Sequence, residues 1–135
     1  MPVDQPDSAA SVIDLKVLDE IMAFGNNGAA SVSRLITLYM QNTPENIRQL
    51  RAAVAAGDAK AVRFQAHTMK SSSAWVGALS LATLLEELET LGRSNVLDGA
   101  ELLLHKIAAE SRAAVIALKV EFQRRGLVTP PETVK

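Results

Sequence analysis

Apolar residues recur along the chain at steps of three and four, the spacing that places side chains on one face of an α-helix. The first such stripe is short: Asp14 is a suitable N-cap for it, and the segment from Gly25 to Gly28 supplies a stop signal. Its small apolar face is more typical of a lid than of a core helix.

The second stripe reaches Ala56 and keeps its phase across Pro44. A proline inside a helix costs about 3 kcal/mol, so two helices are possible here, but the continuous stripe favours one long helix, kinked at the proline.

Three further amphipathic stripes follow, and glycine-containing turns separate them. Gly57 ends the second helix, and Asp58 is a suitable cap for the third. Ser80 can cap a fourth helix, which carries an unbroken leucine seam and is expected to stop at Gly92 and Ser94-Asn95. A fifth helix is expected over about 99–125. The positions predicted to face the core on the third and fifth helices are Val62, Ala66, Met69, Ser73, Val76, Leu104, Ile107, Ser111, Val115, Leu118 and Phe122.

Four long amphipathic helices with short connections predict an all-α fold, an antiparallel up-down-up-down four-helix bundle with a short extra N-terminal helix. Composition agrees, because the chain is rich in alanine and leucine and only 4% aromatic, which favours helix over strand. A length of 135 residues suits one domain. We predict that the domain covers 12–126 and that flexible tails cover 1–11 and 127–135.

Charge balance and cysteine count exclude several classes of function. The 14 basic and 15 acidic residues form no long run of one sign, so no surface for nucleic acid or for an anionic membrane is indicated. The absence of cysteine excludes a disulfide framework, a thiolate zinc site and a cysteine nucleophile. Since the sequence shows neither a secretory signal nor a membrane-spanning apolar run, we expect a cytoplasmic monomer with no metal or cofactor of its own.

One arrangement on the third helix points to chemistry. Its members are Arg63, His67, Lys70 and Ala74, spaced so that they form an exposed stripe beside the core face. An exposed imidazole is partly neutral at cytosolic pH and then offers a ring nitrogen as a nucleophile. Lys70, one turn further on, can neutralise an incoming phosphoryl group. The same spacing also occurs on ordinary solvated helix faces. We interpret His105 as a residue of such a solvated face.

Small residues surround this pair and leave room for another domain to approach the ring. The run Ala66-His67-Thr68-Met69-Lys70-Ser71-Ser72-Ser73-Ala74, followed by Gly77-Ala78 and Leu81, resembles the signature of histidine-containing phosphotransfer (HPt) domains of two-component phosphorelays. The resemblance extends over about 13–122, including the leucine-rich fourth helix.

This resemblance implies a role for individual residues. His67 matches the phosphoacceptor, and Lys70 matches the lysine that helps to hold the phosphoryl oxygens. Gly77 matches the glycine whose missing side chain leaves room for the partner. Glu89 occupies a position that is Gln or Glu in the family and can form a hydrogen bond near the histidine. Ser71 replaces the usual glycine, which keeps the surface small.

The surface expected to bind partners consists of Arg63, Phe64, Ala66, Ser71, Ala74, Trp75, Gly77 and Ala78. Trp75 stands where a small or polar residue is commoner in the family, and together with Phe64 it lies away from the predicted core. Either the short first helix covers these two aromatic side chains, or they are exposed for a partner or a second copy. On the fourth helix, Glu86 and Glu87 are expected to belong to a solvated face.

The function implied by the resemblance is that of a phosphorelay intermediate. His67 would accept a phosphoryl group from a receiver-domain aspartyl phosphate and pass it to the receiver of another response regulator. The partners implied are these receiver domains and a hybrid sensor histidine kinase, with Mg²⁺ on the receiver. The chain has no phosphate-binding loop and no kinase motif set, which indicates a transfer module rather than a kinase. Two alternatives remain: a docking-only helical adaptor on the same scaffold, and the phosphoacceptor domain of a larger histidine kinase.

Overall fold

A computed structural model describes residues 12–129, and within them the secondary structure is entirely helical. The helices are α1 (Leu15–Ala23), α2 (Gly28–Ala55), α3 (Ala59–Trp75), α4 (Leu79–Ser94) and α5 (Ala100–Arg124). The predicted all-α class is therefore confirmed. The tail predicted at 1–11 and the end of the second tail, 130–135, lie outside the described residues. No helix in 12–129 has both the length and the hydropathy needed to cross a bilayer.

Each long helix packs against the next along the chain, and α5 returns to pack against α2, which closes the four-helix bundle. The hydroxyl of Ser33, near the start of α2, donates a hydrogen bond to the carbonyl of Val128, just beyond the end of α5. The two helices therefore run antiparallel. The closest pair is α3 and α4, whereas α1 packs mainly on α2.

Local signals placed the beginnings of two helices correctly. The Asp14 carboxylate accepts a hydrogen bond from the backbone of Lys16 at 3.1 Å, and the Asp58 carboxylate accepts one from Ala61 at 3.0 Å. Both predicted N-caps are thus confirmed. The second helix continues through Pro44, as the unbroken apolar stripe predicted.

The core lies where the helical stripes predicted it. Every position assigned to the core on α3 is buried, and so are Leu104, Ile107, Ser111 and Leu118 on α5. Val115 and Phe122 are only partly buried and pack against the edge of the core. The α1 region contributes more than a lid, because Ile13 and Leu18 are fully buried in the same core cluster.

The beginning of α4 differs from the sequence prediction. The helix begins at Leu79, with Ala78 at the cap position and no side-chain cap, so the assignment of Ser80 as N-cap was wrong. The helix continues through Gly92 and ends after Ser94, at the Ser94-Asn95 stop that the sequence predicted. The residue that ends it is Asn95, which adopts the left-handed conformation with φ of 62°.

Gly92 is inside the helix because α3 lies too close for a side chain. A Cβ atom at this position would be 2.7 Å from the backbone nitrogen of Arg63 and 2.8 Å from the carbonyl oxygen of Ala59. Both are backbone atoms, which a change of rotamer cannot move. The missing side chain therefore permits the close approach of α3 and α4 on which the candidate site depends.

The chain beyond α5 is attached to the bundle. The buried carboxylate of Glu121 pairs with Arg125 at 3.0 Å, and Arg125 also reaches Asp19 of α1 at 2.8 Å. Leu127 packs against the core, and Val128 accepts the hydrogen bond from Ser33. The segment predicted as a tail from Leu127 is thus bonded to the bundle through Val128.

Replacement of Gly92 by alanine tests this close approach. In an isolated helix the change would stabilise by about 1 kcal/mol through helix propensity. Here the backbone contact outweighs that gain, and we expect a net loss of about 1–2 kcal/mol in the free energy of unfolding, measured by denaturant titration. The matched control, Thr90→Ala at an exposed position of the same helix, should change it by less than about 0.5 kcal/mol. A Gly92→Ala variant as stable as the natural protein would contradict this interpretation.

Candidate functional site

His67 lies on the outer face of α3, beside α4. Its side chain is 60% exposed, which confirms the exposure predicted from the helical stripe. The imidazole is nevertheless fixed at one atom, because Nδ1 lies 3.0 Å from Oε2 of Glu89 on α4. One edge of the ring is therefore held by the neighbouring helix, while the rest of it faces solvent.

Glu89 is the buried acceptor of this site. Its side chain is only 5% exposed, and the same Oε2 accepts a hydrogen bond from Arg93 at 3.0 Å. The other oxygen, Oε1, forms an ion pair with Lys70 at 2.8 Å. Burial by itself raises the pKa of Glu89, but the contacts with Lys70 and His67 outweigh burial and hold the pKa below the usual range of a glutamate. The carboxylate is consequently ionised at neutral pH.

An ionised carboxylate can only accept hydrogen bonds. The contact between Glu89 and Nδ1 of His67 therefore requires the proton on Nδ1. In the neutral ring this leaves the lone pair on Nε2, the nitrogen on the exposed side. The pairing thus selects the tautomer and the atom at which the ring can act as a nucleophile.

Lys70 is bonded to α4 rather than extended into solvent. Its ammonium lies 2.6 Å from Glu86 Oε1 and 2.8 Å from Glu89 Oε1, and its side chain is 25% exposed. Contacts with Glu86 and Glu89 hold the pKa of Lys70 above its usual value. The lysine therefore stays charged, but in this arrangement two carboxylates share its charge.

A groove of about 340 Å³ borders the ring on the side towards the start of α3, and its lining includes Lys60, Arg63 and Phe64. Lys60 and Arg63 are exposed and form no ion pair with any residue in 12–129. Their charges are therefore available to an anion that approaches His67. Among the same residues no group of three or more His, Asp or Glu side chains is placed to hold a metal ion.

Three residues assigned to the partner-binding surface are buried. Ala66 and Ala78 are fully buried, and Gly77 is buried as well, so their side chains cannot contact a partner. Gly77 has φ of 85°, and a Cβ there would lie 2.7 Å from the carbonyl oxygen of Asp14. Its own carbonyl accepts a hydrogen bond from Asp14 at 2.8 Å. The missing side chain therefore makes room for the segment before α1, and its role towards a partner stays a prediction.

The remaining members of that surface are accessible beside His67. Ser71 is exposed and Ala74 is partly exposed. Phe64 and Trp75 are 66% and 64% exposed. The short first helix therefore does not cover these two aromatic side chains, because α1 packs mainly on α2.

Sequence reasoning missed three residues of the site: Lys60, which lines the groove, Arg93 and Glu86. Arg93, four residues after Glu89 on one helix, follows the ordinary spacing of a helical ion pair and could have been found from that spacing. Glu86 was assigned to a solvated face, yet it pairs with Lys70 across 16 positions of the sequence. No local pattern indicates that contact, because it depends on how α3 and α4 face each other.

Comparisons with known proteins agree with the geometry. The family model described as Hpt domain matches residues 34–121. The crystal structure of histidine-containing phosphotransfer protein B (HptB) from Pseudomonas aeruginosa PAO1 is similar, with a TM-score of 0.75 and 32% sequence identity. That match covers 85% of this chain and 97% of the other. No curated protein sequence matches the chain.

Trp75 is the only tryptophan, so its fluorescence reports its surroundings directly. We expect the red-shifted emission and efficient acrylamide quenching of an exposed indole. Trp75→Ala should change the free energy of unfolding by less than about 0.5 kcal/mol, because the side chain is mostly outside the core. Blue-shifted, protected emission from the isolated protein would contradict the exposed placement.

Proposed function

The chain belongs to the Hpt domain family, and on that premise we propose that His67 accepts a phosphoryl group from the aspartyl phosphate of a receiver domain and passes it to a second receiver. The observation that supports this most directly is the hydrogen bond from Nδ1 of His67 to the buried, ionised Glu89. It leaves Nε2 exposed with its lone pair free. The proposed phosphoacceptor atom is therefore Nε2.

In the proposed reaction, Nε2 attacks phosphorus and an N–P bond forms while the P–O bond to the receiver aspartate breaks. The aspartate leaves as a carboxylate, and the ring retains its proton on Nδ1. The ring thereby gains positive charge, which the Glu89 carboxylate at 3.0 Å stabilises. Transfer to the next receiver is the reverse sequence, with a second aspartate as the nucleophile.

Charges around the ring support the approach of a phosphoryl group. Lys70 is one turn from His67 on the same helix and can contact a phosphoryl oxygen if its ammonium turns towards Nε2. Lys60 and Arg63 line the adjacent groove and add positive potential on the open side. Positioning and charge neutralisation of this kind carry most of the catalysis in phosphoryl transfer.

We propose that the receiver docks on the exposed surface beside His67. Ser71 and Ala74 present small side chains near the ring, and Phe64 and Trp75 supply exposed apolar area. An apolar receiver helix fits such a surface, and a small interface suits a transient partner. In this proposal the chain is a cytoplasmic monomer that supplies the nucleophile and the lysine, while the receiver supplies Mg²⁺ and the chain has no kinase activity of its own.

The decisive test uses a phosphorylated receiver and follows label transfer to the chain. We expect His67→Gln to abolish labelling and Lys70→Ala to slow it about tenfold, the size of one charge-assisted contact to the transferring group. Both variants should remain folded, because His67 is mostly exposed and Glu89 keeps Arg93 as a partner when Lys70 is removed.

The control for this test is His105→Gln, since that histidine is exposed on α5 but is not the proposed acceptor, and this variant should be labelled to the same extent as the unchanged protein. Labelling retained by the His67 variant would reject the assignment. A docking-only adaptor predicts receiver binding without labelling. A phosphoacceptor domain of a larger kinase predicts labelling by a kinase core and ATP when no receiver is present.

Glu89→Gln removes the negative charge of the hydrogen-bond acceptor and keeps its shape. The amide retains an oxygen that can accept from Nδ1, but it no longer stabilises the positive ring. We expect transfer to His67 to slow about fivefold, the difference between a charged and a neutral hydrogen bond. Because the pKa of Glu89 is lowered, the difference should persist across the neutral pH range. An unchanged rate, measured with thermal unfolding as a control for folding, would show that the charge has no part in the transfer.

A further inference from the structure

Lys70 is the only cationic residue of the site that contacts two carboxylates. Its ammonium contacts Glu86 Oε1 at 2.6 Å and Glu89 Oε1 at 2.8 Å. Glu89 has other partners, since Arg93 and His67 both contact its second oxygen. Glu86, in contrast, pairs with Lys70 alone among residues 12–129.

The charge balance around Lys70 follows from these contacts. Arg93 and His67 share the carboxylate of Glu89 with Lys70, whereas Glu86 contacts only Lys70 and lies nearer to its ammonium, at 2.6 Å against 2.8 Å. The Glu86 side chain is 50% exposed, and its contact with Lys70 can break without uncovering a buried group. A phosphoryl group on Nε2 would be a dianion one helical turn away, and Lys70 is the cation that could reach it.

We propose that Glu86 is a positioning residue that competes with the phosphoryl group for Lys70 and thereby limits the stability of the phosphohistidine. This inference rests on the proposed function of His67. A relay intermediate must release its phosphoryl group as readily as it accepts it. A carboxylate that draws the lysine back to α4 lowers the stabilisation of the phosphorylated state and favours onward transfer.

The variant that tests this is Glu86→Gln, which removes the charge and keeps the size of the side chain. At equilibrium with a phosphorylated receiver, we expect the ratio of phosphorylated to unphosphorylated His67 to rise about two- to fivefold, the effect typical of an exposed ion pair. The rate of acceptance at saturating receiver should rise by a similar factor. The receiver concentration that gives half of the maximal rate should stay the same, because docking is not affected.

Glu87→Gln is the matched control, since this glutamate is the next residue on α4, is exposed, and has no ion pair among residues 12–129. It should leave both measurements unchanged. Glu86→Gln is also measured in a Lys70→Ala background. If Glu86 acts through Lys70, the substitution should have no effect there.

Three results would overturn the inference: a Glu86→Gln variant with an unchanged or lower phosphorylated fraction, an equal gain in Glu87→Gln, or a gain that persists without Lys70. Labelling that survives His67→Gln would instead contradict the proposed function, and this inference with it. Labelling that depends on His67 but does not respond to Glu86→Gln contradicts this inference alone. The two failures are therefore distinguishable in one set of transfer assays.

Discussion

The site depends on one buried carboxylate, that of Glu89. A buried charge without partners costs several kcal/mol, so this position requires cations or hydrogen-bond donors around it. Two of them, His67 and Lys70, come from α3, and Arg93 comes from α4 itself. The requirement to pair one carboxylate thus holds the two helices in a single relative position. The same contacts orient the imidazole, choose its tautomer and keep a lysine beside it.

Close approach of the helices makes this pairing possible. Gly92, three residues after Glu89, lets the backbone of α4 lie directly against that of α3. Gly77, in the turn between the two helices, lets the segment before α1 cross their junction. Two residues that could be interpreted as a helix stop and a partner-binding contact therefore serve the internal geometry of the bundle. The members of the predicted partner surface that remain accessible are Arg63, Phe64, Ser71, Ala74 and Trp75.

The arrangement separates the nitrogen that is held from the nitrogen that we propose as the phosphoacceptor. Nδ1 of His67 is fixed against a buried group, and the rest of the ring is exposed on a helix face beside an open groove. Fixing the ring lowers the entropy lost when a receiver docks, while exposure keeps the reactive atom accessible. Lys60 and Arg63, which line the groove, place positive charge beside the ring on a chain with an overall charge of -1.

The sequence by itself determined the fold class, the five helices, the N-caps at Asp14 and Asp58, the passage of α2 through Pro44 and the buried stripe of α3. These features are local: a cap, a period of 3.6 residues or a turn can be recognised within one segment. It also indicated His67 and Lys70 as neighbours, because both lie on one helix. Only the tertiary structure decided that Lys70 pairs with Glu86, that Gly92 and Gly77 are required for close backbone contacts, and that Phe64 and Trp75 are exposed. In the site, the contacts of Lys70 with Glu86 and of His67 with Glu89 join positions that are 16 and 22 residues apart. They depend on the rotation and offset of one helix against another, which no periodicity within a single helix contains.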